Sequence, residues 1–289
     1  MAGDRPSPVV QRRRLRTELR KARQDVGLTQ EQVADAMDWS MSKMIRIEAG
    51  TVGISTTDLK ALLDHYQLDD PELTSQLVAL ARAARERSWW SVYRDLAPPG
   101  LLQLIGYEAA SFIIRNFETL VVPGLLQTED YARAVVESLE EGATAQRVNT
   151  LVEIRMRRQE QLDRDDPPLL FFILDEAVVR RLIGGRNVMR RQIHYLIEMA
   201  ARPHVTIEIV PFNAGTHPGL RGPFVIVEFP DPGDDDVLYL ETRGDLIRGG
   251  ISEEGEASAY REVFEQLRRV SLGPDGSVEF LSQLADEMT

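Results

Sequence analysis

Between positions 7 and 87 the apolar residues recur at helical spacing, and polar start and stop signals cut the run into five predicted helices. The first opens at Ser7-Pro8, with Pro suited to the first helical position. It places Leu15, Leu19, Ala22 and Val26 on one face and ends at Gly27. The second begins at Thr29. There Thr29 and Gln32 have the spacing of a capping box and Leu28 and Val33 that of a hydrophobic staple, and the helix runs to about Met37. After an Asp38-Trp39 turn, Ser40 caps a third helix that Gly50 stops. Ser55 with Asp58 opens a fourth, and Asp70-Pro71 a fifth.

The pattern then changes. From Trp89 to Arg115 the text is mixed, interrupted by Pro98-Pro99-Gly100 and too apolar for a free linker, so it is read as a junction. Helical periodicity returns over Thr128 to Ser138 and Gln146 to Leu162. Short apolar runs at Leu169 to Leu174, Val205 to Pro211, Phe224 to Phe229 and Val237 to Glu241 predict strands. Helices are predicted near Glu176 to Ile183, Asn187 to Ala201 and Glu253 to Val270. The expected fold class is an all-α N-terminal helix-turn-helix domain followed by an α+β (mixed α/β) C-terminal domain. The expected divisions are 1–69, a helical and aromatic junction at 70–118, and 119–289.

Composition narrows the compartment and the partners. The 289 residues are 43% apolar, enough for two cores, and contain no Cys, which removes disulfides, thiolate metal sites and Cys nucleophiles. The segment Met1 to Arg16 lacks the apolar stretch of a signal peptide. The longest apolar run falls far short of the roughly 20 residues a membrane helix needs, so a cytoplasmic protein is expected. The net charge of −12 is unevenly spread. Eleven basic and nine acidic side chains precede Tyr66, leaving −14 for the rest. Arg5 to Arg23 holds eight basic residues against one acid, Glu18. The acidity therefore belongs to the second part, which is expected to face away from a duplex.

Two short helices joined by a tight turn and preceded by a basic helix have the shape of a helix-turn-helix. At about 100° per residue, Met44 and Ile47 fall on one side of the third helix and Ser42, Ile45, Arg46 and Ala49 on the other. Ser42 and Arg46 suit base edges and phosphates, Arg being able to bond guanine bidentately, and Lys43 flanks them as a point charge. Ile45 is either a reader of a thymine methyl group or a residue covered by another domain. The Arg12-Arg13-Arg14 run reads either as a solvated tail or as a lead-in attracted to phosphates, with Arg13 the candidate contact.

The strings L-T-Q-E-Q-V-A (Leu28–Ala34) and S-M-S-K-M-I-R-I-E-A-G (Ser40–Gly50) resemble Xre-family helix-turn-helix proteins over about the first 66 residues. The resemblance implies that Gln30 contacts a phosphate. It also implies that Ser40, Met41, Ser42 and Lys43, with Arg46 one turn later, face the major groove. Glu48 and Gly50 match the structural end of the motif, and Ile45 departs from the small or polar residue often found there.

In the second part, Asp175-Glu176 after a strand, with His217 and Glu241 downstream, is a candidate carboxylate and histidine site. A capping acid at a strand-to-helix turn explains Asp175 equally well. His194, His204 and His217 match no metal-ligand spacing. Gly215, Gly219 and Gly222 form either a ligand mouth or a turn needing positive φ. Gly184-Gly185 before Arg186, Arg190 and Arg191 forms either an anion cradle or a solvated helix start.

Further strings carry a second resemblance: W-W-x-x-Y (Trp89–Tyr93), V-P-G-L-L-Q-T-E-D-Y-A-R (Val122–Arg133), R-R-Q (Arg157–Gln159), L-D-E-A (Leu174–Ala177) and N-A-G-T-H-P-G (Asn213–Gly219). They are similar to actinobacterial Xre-type regulators whose C-terminal domain lacks a defined function and is compared with antitoxins. That likeness implies a regulator working with a small protein partner and no catalytic residues.

The leading expectation is thus a sequence-specific regulator of transcription. It binds double-stranded DNA as a homodimer and carries a C-terminal sensing or partner-binding domain. The alternative is an antitoxin-like protein that neutralises a small partner and regulates its own synthesis. An enzyme with an attached DNA-binding domain is disfavoured, since no nucleophile elbow, metal spacing or phosphate loop is present. No cofactor, metal or membrane is expected.

Overall fold

Each of the first five helices begins where a side chain can satisfy its orphan N–H groups. Ser7 accepts from Val9 N and starts α1 (Pro8–Asp25). Thr29 starts α2 (Gln30–Ala36), and Ser40 starts α3 (Met41–Glu48). Ser55 accepts from Asp58 N at the head of α4 (Thr56–His65), and Asp70 from Glu72 N and Leu73 N at the head of α5 (Pro71–Ala83). The capping box is complete: Gln32 N donates to Thr29 Oγ1 at 3.2 Å, and Thr29 N to Gln32 Oε1 at 2.8 Å.

The computed structural model describes residues 7–50, 52–140, 142–230, 236–240, 250–251 and 256–288, of which 250 and 251 by backbone alone. Arg5 and Glu241 lie outside the described residues. The chain divides into two units between Ser91 and Val92. In the first, Leu15 and Leu19 of α1, Val33 of α2, Met44 and Ile47 of α3, Leu59, Leu62 and Leu63 of α4, and Leu77, Val78 and Ala81 of α5 form one core. Val26, expected on the buried stripe, follows the last turn of α1 as its C-cap and is 42% exposed. The turn between α2 and α3 places Asp38 in the left-handed region at φ 53°, which a short polar side chain tolerates.

The second unit contains α6 (Pro99–Glu108), β1 (Ile113–Glu118), α7 (Glu129–Leu139), α8 (Ala145–Gln159), β2 (Leu169–Asp175), α9 (Glu176–Arg180), α10 (Arg186–Ala200) and β3 (Val205–Val210). These are followed by β4 (Phe224–Glu228), β5 (Val237–Leu240), β6 (Gly250–Ile251), α11 (Ala257–Val270) and α12 (Gly273–Glu287). The strands form a mixed sheet in the order β3-β2-β1-β4-β5-β6. β1, β2 and β3 are parallel, and β4, β5 and β6 are added antiparallel.

One face of the sheet carries Phe117, Ile173, Phe224, Ile226 and Leu238 against Phe264 and Leu267 of α11. The edge of β3 is covered by the start of α12. There Ile209 N donates to Ser277 Oγ at 2.8 Å and Leu272 N to Ile209 O at 2.9 Å, so this part of the edge is not left open for pairing.

The segment 70–118, expected to form a junction, is split between the units. The apolar face of α5 is part of the first core, and β1 lies in the middle of the sheet. Pro98-Pro99-Gly100, expected as a break, starts α6 with Pro99 at its first position, where a missing N–H costs nothing. No element was predicted beyond Val270, and the structure places α12 there, opening on Gly273 and Pro274, residues of low helix propensity. Among the described residues no helix is long and apolar enough to cross a membrane.

Candidate functional site

Helix α3 divides as its spacing predicts. Met44, Ile47 and Glu48 are buried, whereas Met41, Ser42, Ile45, Arg46 and Ala49 are exposed, Met41 and Ile45 by 42% and 45%. Two large apolar side chains therefore stand among polar ones on the outer face. Ser40 is exposed at the head of the helix. Its Oγ accepts the Lys43 N–H at 3.2 Å and leaves the hydroxyl proton for another acceptor. Lys43 Nζ sits 3.2 Å from Asp58 Oδ2 and 3.9 Å from the centre of the Trp39 ring. Both partners of the ion pair are more than a third exposed, so a phosphate can displace Asp58 at small cost.

Glu48 is the fixed point behind this face. It is 1% exposed and receives Arg23 Nε at 2.6 Å, Arg23 Nη2 at 3.1 Å and Gln30 Nε2 at 2.7 Å. Arg23 Nη1 also donates to Leu28 O at 2.7 Å. One carboxylate thus joins the end of α1, the head of α2 and the end of α3. Hydrogen bonding to Glu48 raises the pKa of the Arg23 guanidinium against the opposing effect of its burial. Burial, and the Glu48 charge after it, raise the Tyr66 phenol. Gln30, expected at a phosphate, is held at the head of α2 with one amide proton committed to Glu48. The motif marked Glu48 as structural, but its partner Arg23, 25 residues away, carried no local signal. In the basic run, Arg12 Nη2 donates to Ala84 O at 3.0 Å, which links α1 to the end of α5, while Arg13 is half-buried.

In the second unit, Val122–Thr128 and Arg157–Gln159 come together. Gln127 Nε2 donates to Val122 O at 2.7 Å, and Arg155 Nη1 donates to Gln127 Oε1 at 2.9 Å. Gln159 Nε2 bonds the carbonyls of Gly124 and Gln127, and Gln192 Nε2 that of Leu126. Arg158 makes a buried bidentate pair with Glu108 at 3.0 and 2.6 Å. A Cβ at Gly124 would lie 3.0 Å from Arg158 Nη1, so any larger residue would have to push the guanidinium back by a few tenths of an ångström. Burial pushes the Tyr131 phenol up to about 12, and its oxygen accepts the Val122 N–H at 3.1 Å.

Leu174–Ala177 and Asn213–Gly219 also meet. Asp175 caps α9 by accepting from Ala177 N, and Glu176 accepts Phe212 N at 2.7 Å. His217 Nε2 lies 3.7 Å from Asp175 Oδ2, with its ring edge-on to Phe117. Gly215 and Gly222 have positive φ, as a turn requires, whereas Gly219 is needed for space, since a Cβ there would fall 2.4 Å from the Phe117 ring. Gly184 and Gly185, both at positive φ, lead into α10, where Arg186 bonds Glu287 O and Arg191 bonds Asp130. His194 is exposed and His204 half-buried. Among the described residues no group of three metal-ligating side chains converges.

A family model described as a domain of unknown function, DUF5753, matches residues 101–283, more than half of the chain. The chain belongs to the DUF5753 family. A second model, described as a helix-turn-helix domain, matches residues 14–77. The molecule therefore combines a helix-turn-helix domain, which points to a DNA-binding regulator, with a DUF5753 domain. No curated protein and no solved structure matches the chain. The DUF5753 match starts in α6, runs through the whole sheet and ends in α12. It contains both clusters of polar contacts described above. Asn116 and Glu118 of β1, which face one of those clusters, were missed in the sequence, because β1 mixes Arg115, Asn116 and Glu118 with apolar residues and carries no apolar run.

Proposed function

We propose that this chain is an Xre-type, sequence-specific transcriptional regulator of the cytoplasm that binds double-stranded DNA as a homodimer. Its second unit senses a signal or docks a partner rather than catalysing a reaction. The observation that carries this reading is the outer face of α3, where exposed Met41, Ser42, Ile45 and Arg46 follow the Ser40 cap on a helix clamped from behind by Glu48. A face that reads bases must be rigid and uncovered, and its donors must be short or bidentate. Lys43 and the basic α1 supply phosphate attraction that is weakened by salt.

The test is a pair of substitutions measured on specific and random duplexes. Arg46→Ala is expected to weaken specific binding by about 1–3 kcal/mol and to relax one base position. Arg13→Ala is expected to lower affinity for all sequences alike and to reduce the salt dependence. Equal losses on specific and random DNA for Arg46→Ala would remove the base-reading role.

A further inference from the structure

Behind the Val122–Thr128 loop the sheet encloses a cavity of about 40 Å³, partly open to solvent. Since a water needs roughly 10–15 Å³ of such space, it holds about three waters or one molecule of glycine-to-serine size. Its floor includes Asn116 of β1, Val225 of β4 and Tyr239 of β5, which lie directly opposite one another across the strands. Ile114, on the same face of β1, shows what packing alone asks of this strand. Asn116 is instead an amide, 7% exposed, whose Oδ1 accepts no hydrogen bond. A buried acceptor left unmade destabilises the fold, so its presence calls for a donor that arrives from outside. Glu118, 4% exposed, lies two residues along on the same face.

The cavity is also lined by Arg155 and Arg158 of α8, and Leu101, Leu104 and Val135 give it an apolar flank. Gly124 packs against both guanidiniums, and Glu108 and Gln127 hold them in place, so this wall is preformed. Two cations, Arg155 and Arg158, are matched by two anions, Glu108 and Glu118. An ion of either sign would bring an unmatched charge into this buried site, whereas a dipolar molecule would not.

We propose that the cavity binds a small zwitterion, a free α-amino acid no larger than serine. Its ammonium group donates to Asn116 Oδ1 beside Glu118, and its carboxylate faces Arg155 and Arg158. This deepens the sensing role given to the second unit and rests on that role only for its regulatory consequence.

Calorimetric titration of the full chain without DNA tests it, with glycine, alanine and serine as ligands and acetate, ethylamine and glycerol as controls. The expected result is saturable binding of at least one amino acid and of no control. Asn116→Leu removes the acceptor while keeping the face filled, and is expected to weaken binding by at least about tenfold. Leu104→Phe, which narrows the cavity from the apolar side, is expected to do the same in a chain that still unfolds cooperatively. Absence of saturable binding by all three amino acids, equal binding of a control, or unchanged binding in both variants would overturn the assignment. Because no DNA is present, a failed titration leaves the DNA-binding reading intact, and a failed DNA measurement leaves the cavity intact.

Discussion

At the residue scale the account turns on side chains whose partners are distant in sequence. Ser42, Ile45 and Arg46 could be placed on the outer face of α3 because helical spacing is a local rule, and Met44 and Ile47 on its inner face for the same reason. The clamp of Glu48 on Arg23 and Gln30 was not legible, because nothing local marks a contact spanning 25 residues. Removing the carboxylate leaves a guanidinium with little solvent and an unpaired amide. Glu48→Ala is therefore expected to lower stability by about 3 kcal/mol, measured by urea unfolding. A loss below about 0.5 kcal/mol, the scale of an exposed pair, would show that Glu48 does not organise the helices.

At the element scale, the capped helices and the apolar strands β2 to β5 were readable, and β1 was not. A central strand normally reads as an apolar run, but β1 places Arg115 on the α11 face and Asn116 and Glu118 on the other. Two of the three polar side chains that hid the strand, Asn116 and Glu118, line the cavity, a conflict between local rule and fold that often marks a functional position. Helix α12 was hidden differently. Its first turn, Gly273-Pro274-Asp275-Gly276, has low helix propensity and is held by contacts to β3, where Ile209 N donates to Ser277 Oγ.

Two substitutions test these elements. Gly219→Ala would drive a Cβ into the buried Phe117 ring and is expected to cost about 1–3 kcal/mol by overpacking, whereas a neutral result would show that the Asn213–Gly219 loop yields freely. Thr29→Ala opens the capping box and is expected to cost about 1 kcal/mol. Both are read from unfolding midpoints at unchanged slope.

At the scale of the whole molecule, Tyr66 in the first unit and Tyr131 in the second hold their protons more tightly than the ordinary 10.0. For Tyr131 the folded value is about 12, so its contribution is fully present below pH 10 and is lost as pH rises from 10 towards 12. Urea midpoints are expected to fall more steeply across that window in the parent chain than in Tyr131→Phe. Identical slopes would contradict the burial of that phenol.

The uneven charge is read from the sequence directly, −14 of the formal charge following His65, and on the proposed reading it leaves DNA attraction to the basic lead-in and the helix-turn-helix. The claim that matters most is that this unit reads sequence, and does so in pairs. Footprinting of the full chain on duplex selected from a random pool tests it directly. The account predicts two protected half-sites about one helical turn apart, occupied by two chains. Protection of one short asymmetric site by a single chain, or selection of no common sequence at all, would contradict it.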